Sequence, residues 1–260
     1  MHPDLIERLG DELYAALADC KVVDPLTARH PEITLSDAYD IQRHLITRRV
    51  ATGQRIIGKK IGVTSQAVMD LLGVRQPDFG MLTDAMLYRE GQAIDAARLI
   101  QPKAEGEIAF RLGRRLCGPG VGPEEVLAAT EGVMACFEVV DSRIRDWKIR
   151  IQDTVADNAS CGVFVLGERI VDPRRVELLG CEMRLEKNGA LAASGTGAAT
   201  LGSPLAAVAW LANTLGQLGG ALEAGDIVLS GALGAMVPVR AGDSLGMEIR
   251  GIGGCSVRFD

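Results

Sequence analysis

Three glutamates lie inside sequence that otherwise reads as buried β-strand, and this placement limits the folds open to the chain more than any other feature. In Ala104-Glu105-Gly106-Glu107-Ile108-Ala109-Phe110 the two-residue period of a strand sets Glu105 and Glu107 on one face and Gly106, Ile108 and Phe110 on the other. The two carboxylates then point the same way, about 6.5 Å apart along the strand. The third, Glu138, stands in the apolar run Met134-Ala135-Cys136-Phe137-Glu138-Val139-Val140, where an ionised group is costly unless something positive meets it. A solvated strand face accounts for an E-x-E spacing by itself. Carboxylates gathered without a matching Lys or Arg also suit a hard divalent cation such as Mg²⁺ or Mn²⁺. The apolar setting favours the cation, as does Asp153-Thr154-Val155-Ala156-Asp157-Asn158-Ala159-Ser160, which is polar without reading as a surface loop.

Other chemistries find little support. The chain has three histidines, His2, His30 and His44, so a histidine-based zinc site or a Ser/His/Asp triad in the main body is nearly ruled out. Six scattered cysteines without C-x-x-C spacing read as buried reduced thiols. A formal net charge of -6 and the lack of a Lys/Arg stripe argue against a nucleic-acid surface. No apolar run is expected to reach membrane-spanning length, and Met1-His2-Pro3-Asp4 lacks the basic and apolar regions of a signal peptide, so a cytoplasmic protein is expected. At 260 residues with 47% hydrophobic content, the chain can bury a sizeable core.

Along the chain, Leu5, Leu9, Leu13 and Leu17 predict an amphipathic helix over Pro3–Ala18. Thr34 and Asp37 predict a capping box opening a second helix that runs to about Val50, with Gly53 ending it. Arg55 to Val63 is β-prone and carries Lys59 and Lys60, one of which is either a snorkelling surface lysine or a desolvated acid/base group. Ser65 to Leu72 reads as a brief helix closed by Gly73, Gln76 to Gly80 as a loop, and Met81 to Tyr88 as strand. A helix is predicted over Glu124–Glu131 and another over Leu205–Leu218, started by Ser203-Pro204. Gly195-Thr196-Gly197 reads as a turn, and four short strands follow from Asp226 to Phe259. Many short strands and few helices predict a folded-over or closed mixed sheet.

Gly58-Lys59-Lys60-Ile61-Gly62-Val63-Thr64-Ser65, Gln76-Pro77-Asp78-Phe79-Gly80, Glu105-Gly106-Glu107, Phe137 to Arg143 and Val155 to Ser160, in this order, resemble the 2-hydroxypenta-2,4-dienoate hydratases (2-oxopent-4-enoate hydratases) of meta-cleavage aromatic degradation. These belong to the fumarylacetoacetate hydrolase superfamily. The resemblance implies an α+β fold: an N-terminal, mostly helical portion over residues 1–60, then a catalytic mixed β-roll or barrel over 61–260. It implies Mg²⁺ or Mn²⁺ held by Glu105, Glu107 and Glu138, and a dienoate hydrated to 4-hydroxy-2-oxopentanoate. Lys60 matches the family lysine and is the expected proton carrier. Asp78 is expected to touch substrate or water unless it only caps a turn. Asn158 and Ser160 are expected to hydrogen-bond substrate or metal-bound water. Asp141 and Arg143 are expected to form a structural pair. Leu229-Ser230-Gly231-Ala232 departs from a Thr-Gly-Thr segment common in the superfamily.

Two alternatives accompany this expectation. The sister enzyme 4-oxalocrotonate decarboxylase shares the fold and the three carboxylates, though its lysine segment typically reads Lys-Met-Gly-Leu-Thr-Ser. A metal-stabilised, non-catalytic assembly subunit belongs to a different class. A carbon–carbon hydrolase like the superfamily's namesake is disfavoured by the absence of histidine after His44. A homo-oligomer is expected, with the decarboxylase as a further partner.

Overall fold

The computed structural model describes every residue from Met1 to Asp260. Its N-terminal portion holds α1 (Pro3–Ala18), the single turn α2 (Leu26–Arg29) and α3 (Leu35–Ala51). The apolar stripe of α1 buries Leu9, Leu13 and Ala16. In α3 the capping box forms, with the Thr34 side chain accepting from the Asp37 N–H and the Asp37 carboxylate from the Thr34 N–H. These helices share one core with Ile144, Val155 and Ala156, which lie far along the chain.

The rest alternates short elements: β1 (Ile56–Gly62), α4 (Gln66–Leu72), β2 (Asp78–Thr83), β3 (Leu87–Arg89), β4 (Ala93–Ile94) and β5 (Lys103–Leu112). Then come α5 (Pro123–Ala129), β6 (Thr130–Val140), α6 (Ile151–Ala156), β7 (Cys161–Leu166) and the hairpin of β8 (Glu182–Lys187) with β9 (Ala190–Thr196). After α7 (Pro204–Gln217) follow β10 (Ile227–Ala232), β11 (Val237–Pro238), β12 (Ser244–Ile249) and β13 (Gly253–Phe259). One sheet runs β2-β1-β10-β5-β6-β7-β3 with β11 beside β5; the other runs β4-β13-β12-β8-β9.

The first sheet curls strongly. Three interstrand steps separate β1 from β6, yet the Lys60 ammonium, which stays over its own strand within 3.1 Å of where a Gly62 Cβ would be, stands 3.2 Å from Glu138 on β6. Leu82, Ala109, Cys136, Phe164 and Leu229, from five strands, fill the inside of the curl. Its outer face, with Ile108, Phe110, Phe137 and Val139, packs on the second sheet and α7 in the main core. The α+β class and the folded-over sheet are as predicted, but the roll stays open, with β2 and β3 as unpaired edges, not a closed barrel.

Five local expectations change; the strand expected over 81–88 is broken by a single 3-10 turn at Asp84–Met86 between β2 and β3. Asp78, Phe79 and Gly80 are not loop but the start of β2, because they pair with Gly62, Ile61 and Lys60. The predicted helix ending at Glu131 stops at Ala129, since Thr130 already pairs with Leu112 in β6. Gly195 and Thr196 end strand β9, so only Gly197 enters a turn. Gly197–Gln217 does have the length and mean hydropathy, 1.2, to cross a membrane. Within it α7 buries Ala207, Val208, Leu211, Ala212 and Leu215 in the main core, as a core helix does.

Candidate metal centre

In the β5–β6 pair Glu105 stands directly opposite Glu138, and Glu107 opposite Cys136. Opposed like charges are unfavourable in a sheet, so this register calls for compensation. One carboxylate oxygen from each glutamate lies within 4.8 Å of the others. Glu107 and Glu138 are fully buried, whereas Glu105 keeps some exposure. Glu107 Oε2 accepts a hydrogen bond from the Gly231 N–H at 2.7 Å. Its Oε1 and both Glu138 oxygens accept none. That donor is delivered by an irregularity in β10 between Leu229 and Ala232, where Gly231 sits at φ 106° and a Cβ would lie 2.5 Å from the Thr64 side chain.

Burial, then the charges of Glu138 and Glu105, hold the Glu107 carboxyl well above its ordinary value. Burial, then Glu138, pushes Glu105 up to about 7. Buried acceptors without donors are the situation a hard cation relieves, so this set fits Mg²⁺ or a similar ion.

Lys60 is the positive group in contact with these carboxylates. Lys60 is 3% exposed, which removes the snorkelling alternative. It stands 3.2 Å from Glu138 Oε1 as an ion pair, without the alignment of a hydrogen bond, and donates to Ala159 O at 3.0 Å. Burial alone would lower its pKa, but Glu138, Asp78 and Glu105 outweigh burial and raise it. The chain's own groups therefore favour the charged lysine, and an added cation among the carboxylates would act the other way. Its neighbour Lys59 points elsewhere, to Asp226 at 2.6 Å.

Asp78 caps no turn. It lies in β2 at 2% exposure, with neither oxygen in an aligned hydrogen bond, and burial raises it to about 6 against the pull of Lys60. Gly62 opposite permits this, for a Cβ there would fall 2.3 Å from Asp78 Oδ1 and 3.1 Å from Lys60 Nζ.

The carbonyl that receives Lys60 belongs to an unusual turn. Asn158, Ala159 and Ser160 have φ of 56°, 51° and 52°, a left-handed run that non-glycine residues rarely adopt. Buried Arg143 holds it, donating to the Asp157 carboxylate and to the carbonyls of Asp141, Asp157 and Cys161. The expected pairing of Arg143 with the Asp141 carboxylate gives way to Asp157, because that carboxylate accepts the N–H groups of Ile100 and Gln101. The Asn158 amide pairs with both backbone groups of Met81 on β2. Ser160 Oγ lies 3.1 Å from Thr154 Oγ.

A sequence profile of the fumarylacetoacetate (FAA) hydrolase C-terminal family matches residues 58–260. The chain belongs to the fumarylacetoacetate hydrolase family. It is 57% identical over 256 residues to the 2-hydroxyhexa-2,4-dienoate hydratase of Comamonas testosteroni, covering 98% of this chain and 97% of that one. To the 2-hydroxypent-2,4-dienoate hydratase of Pseudomonas putida it is 61% identical over 220 residues, 84% of this chain and 99% of that one. In structure it superposes with a TM-score of 0.98 on the 4-oxalocrotonate decarboxylase of Pseudomonas putida G7, complexed with magnesium and adipate, at 36% identity over 100% of this chain and 99% of that one.

In this fumarylacetoacetate hydrolase family chain a cavity of about 650 Å³ opens at Glu105, the one of the three glutamates that lines it. Lys60, Asp78, Glu105 and Ser160 reach its wall. Asn158 does not, since its amide is engaged by β2. Val63, Val68, Leu72, Ile149 and Met236 give the wall a large apolar share. Arg143, Asp157 and the Gly231 N–H belong to the same constellation; Arg143 and Asp157 lie in the family-like runs and Gly231 in the Leu229–Ala232 segment, but no role in the site was expected of any of them.

Proposed function

We propose that this chain hydrates 2-hydroxypenta-2,4-dienoate (2-oxopent-4-enoate) to 4-hydroxy-2-oxopentanoate in the meta-cleavage degradation of aromatic compounds. It does so as a hydro-lyase dependent on Mg²⁺ or Mn²⁺ held by Glu105, Glu107 and Glu138. The choice of reaction is carried by the 57% identity to a dienoate hydratase across nearly the whole chain. The buried oxygens of Glu107 and Glu138 without donors support the metal.

When bound, the cation supplies Lewis-acid polarisation of the 2-oxo group and offsets the carboxylates. Lys60 carries the proton at the substrate's 2-oxygen. The dienol loses its hydroxyl proton and gains one at C5, giving a conjugated 2-oxo-3-enoate. Water then adds, hydroxyl to C4 and hydrogen to C3. Asp78 and Ser160 face the cavity, where they contact that water and the substrate. Asn158 acts by fixing the left-handed turn against β2. Residues 1–60 are taken as the mostly helical portion and 61–260 as the catalytic portion, with Lys60 on β1 contributed to the site across that boundary and the two working as one unit through their shared core. We place the protein in the cytoplasm as a homo-oligomer, supported by exposed Leu71, Leu191 and Leu218, with the pathway's decarboxylase as a further partner.

The second reading, 4-oxalocrotonate decarboxylase, rests on the TM-score of 0.98. One experiment separates the two. Metal-loaded and chelated protein receive freshly generated 2-hydroxypenta-2,4-dienoate or 4-oxalocrotonate, with products read by mass spectrometry. Gain of one water on the first, lost on chelation and in Glu107→Ala, is expected. Carbon dioxide from the second without hydration of the first moves the assignment to the decarboxylase. Metal binding with inertness towards both leaves the assembly subunit.

A further inference from the structure

Lys103 stands two residues before Glu105 on β5, so strand alternation sends its side chain to the same face, and it lines the cavity. Cations elsewhere around the site have carboxylate partners: Lys60 has Glu138, Lys59 has Asp226 and Arg143 has Asp157. Lys103 makes no ion pair and no hydrogen bond through its side chain. Its ammonium rests 4.1 Å from the centre of the Trp147 ring. A cation–π contact fixes such a group while leaving N–H donors that do not face the ring free for a further acceptor.

The support beneath it is built into the chain. The Trp147 indole N–H donates to Gln101 O at 3.1 Å, and the Gln101 side chain donates to Ser142 O and Ile144 O, both at 2.8 Å. Asp146 and Trp147 have φ of 56° and 55°, so a second strained turn sets the indole in place. Ile149, Met236 and Pro238 share that wall and keep it apolar, which strengthens charge-assisted bonds formed there.

We propose that Lys103 and Trp147 form an anion seat for the carboxylate of a small 2-oxo or 2-hydroxy acid. This rests on the function proposed above. Lys103 takes the outer carboxylate oxygen and so fixes which end of the substrate lies at Glu105, leaving the hydrocarbon end to Val63, Val68 and Leu72. It is a binding and orienting group, with no part in proton transfer.

The test uses Mg²⁺-loaded protein carrying Trp210→Phe, which leaves Trp147 as the sole tryptophan of the two in the chain. Pyruvate is titrated while Trp147 fluorescence and heat of binding are recorded, and the kinetics of dienoate hydration are measured in parallel. Lys103→Gln is expected to weaken pyruvate binding by about tenfold or more and to raise KM by a similar factor with much smaller change in kcat. Lys103→Arg restores most of the binding. Retained Mg²⁺ affinity and an unchanged circular dichroism spectrum exclude a folding defect. Pyruvate binding as tight in Lys103→Gln as in the parent, or a loss confined to kcat, overturns the seat. Lys103-dependent pyruvate binding in a protein that hydrates no dienoate keeps the seat and removes the hydratase instead.

Discussion

Glu138 faces Glu105 across a strand pair and Lys60 across the interior of the curled sheet, and these two neighbours ask opposite things of it. Without a divalent cation, Lys60 is the one ammonium in ion-pair contact with any of the three carboxylates. Loss of Lys60 should therefore affect chemistry more than metal binding: Lys60→Met is expected to lower kcat by about 10²–10⁴-fold while retaining Mg²⁺ affinity in calorimetry. The acidic side of the candidate site was legible in the sequence because strand period alone places Glu105 and Glu107 on one face, and the observed face is the inner one they share with Ala109. The burial of Lys60 was not legible, since it depends on β10, whose Leu229 pairs with Lys60 from far along the chain. The partner of Arg143 was equally hidden: proximity in sequence favours Asp141, and only the folded chain shows that Ile100 and Gln101 occupy it.

The left-handed turn at 158–160 exists because β2, the loop after β6 and α6 converge on it. Arg143 and Asp157 are 1% and 0% exposed, and removing one member leaves the other charge buried and unpaired. Arg143→Met is thus expected to cost about 3–5 kcal/mol in urea unfolding and to abolish hydration by displacing the Ala159 carbonyl from Lys60. A variant that unfolds like the parent and remains active would show that the clamp does not hold the turn. At this scale the sequence was partly readable. The leucine period marked α1, and capping residues and glycines marked α3, α4 and α7. The β8–β9 hairpin went unpredicted although Asn188-Gly189, now with φ of 53° and 79°, is the dipeptide a tight hairpin turn requires. The small residues of β9, Ala190 to Thr196, hid it, because they lack the β-branched and aromatic signal of a strand.

For the whole molecule, the raised carboxyls predict how stability follows pH. In the metal-free chain Glu105 titrates near 7 against an ordinary 4.5, and Glu107 is also raised. Asp78 and Asp157, both raised to about 6, act in the same direction. A carboxyl that holds its proton more tightly when folded stabilises the protein in acid, below its unfolded value, and that stability is lost as pH rises through its folded value. The Tm of chelated protein should therefore fall between about pH 4.5 and pH 8. Added Mg²⁺ should raise Tm more at pH 8 than at pH 5, because it binds the ionised carboxylates. A Tm of the chelated protein that rises over this range would refute the account. The fold class was readable because alternation and glycine breaks signal short strands; the open edge at β2 was not, as closure depends on the sum of strand twists and not on any one segment.

Strand order has a temporal consequence. β10 sits between β1 and β5, so the curl that carries Lys60 to Glu138 closes only when residues 227–232 are inserted between strands made much earlier. During synthesis, β5 and β6 can pair and bring their glutamates together, but Glu107 still lacks the Gly231 N–H and Lys60 has no route to Glu138. Such non-local pairing is slow to form. A ribosome-bound chain that stops short of residue 227 would present a half-made acidic patch, and its Mg²⁺ affinity should appear in one step once β10 has emerged.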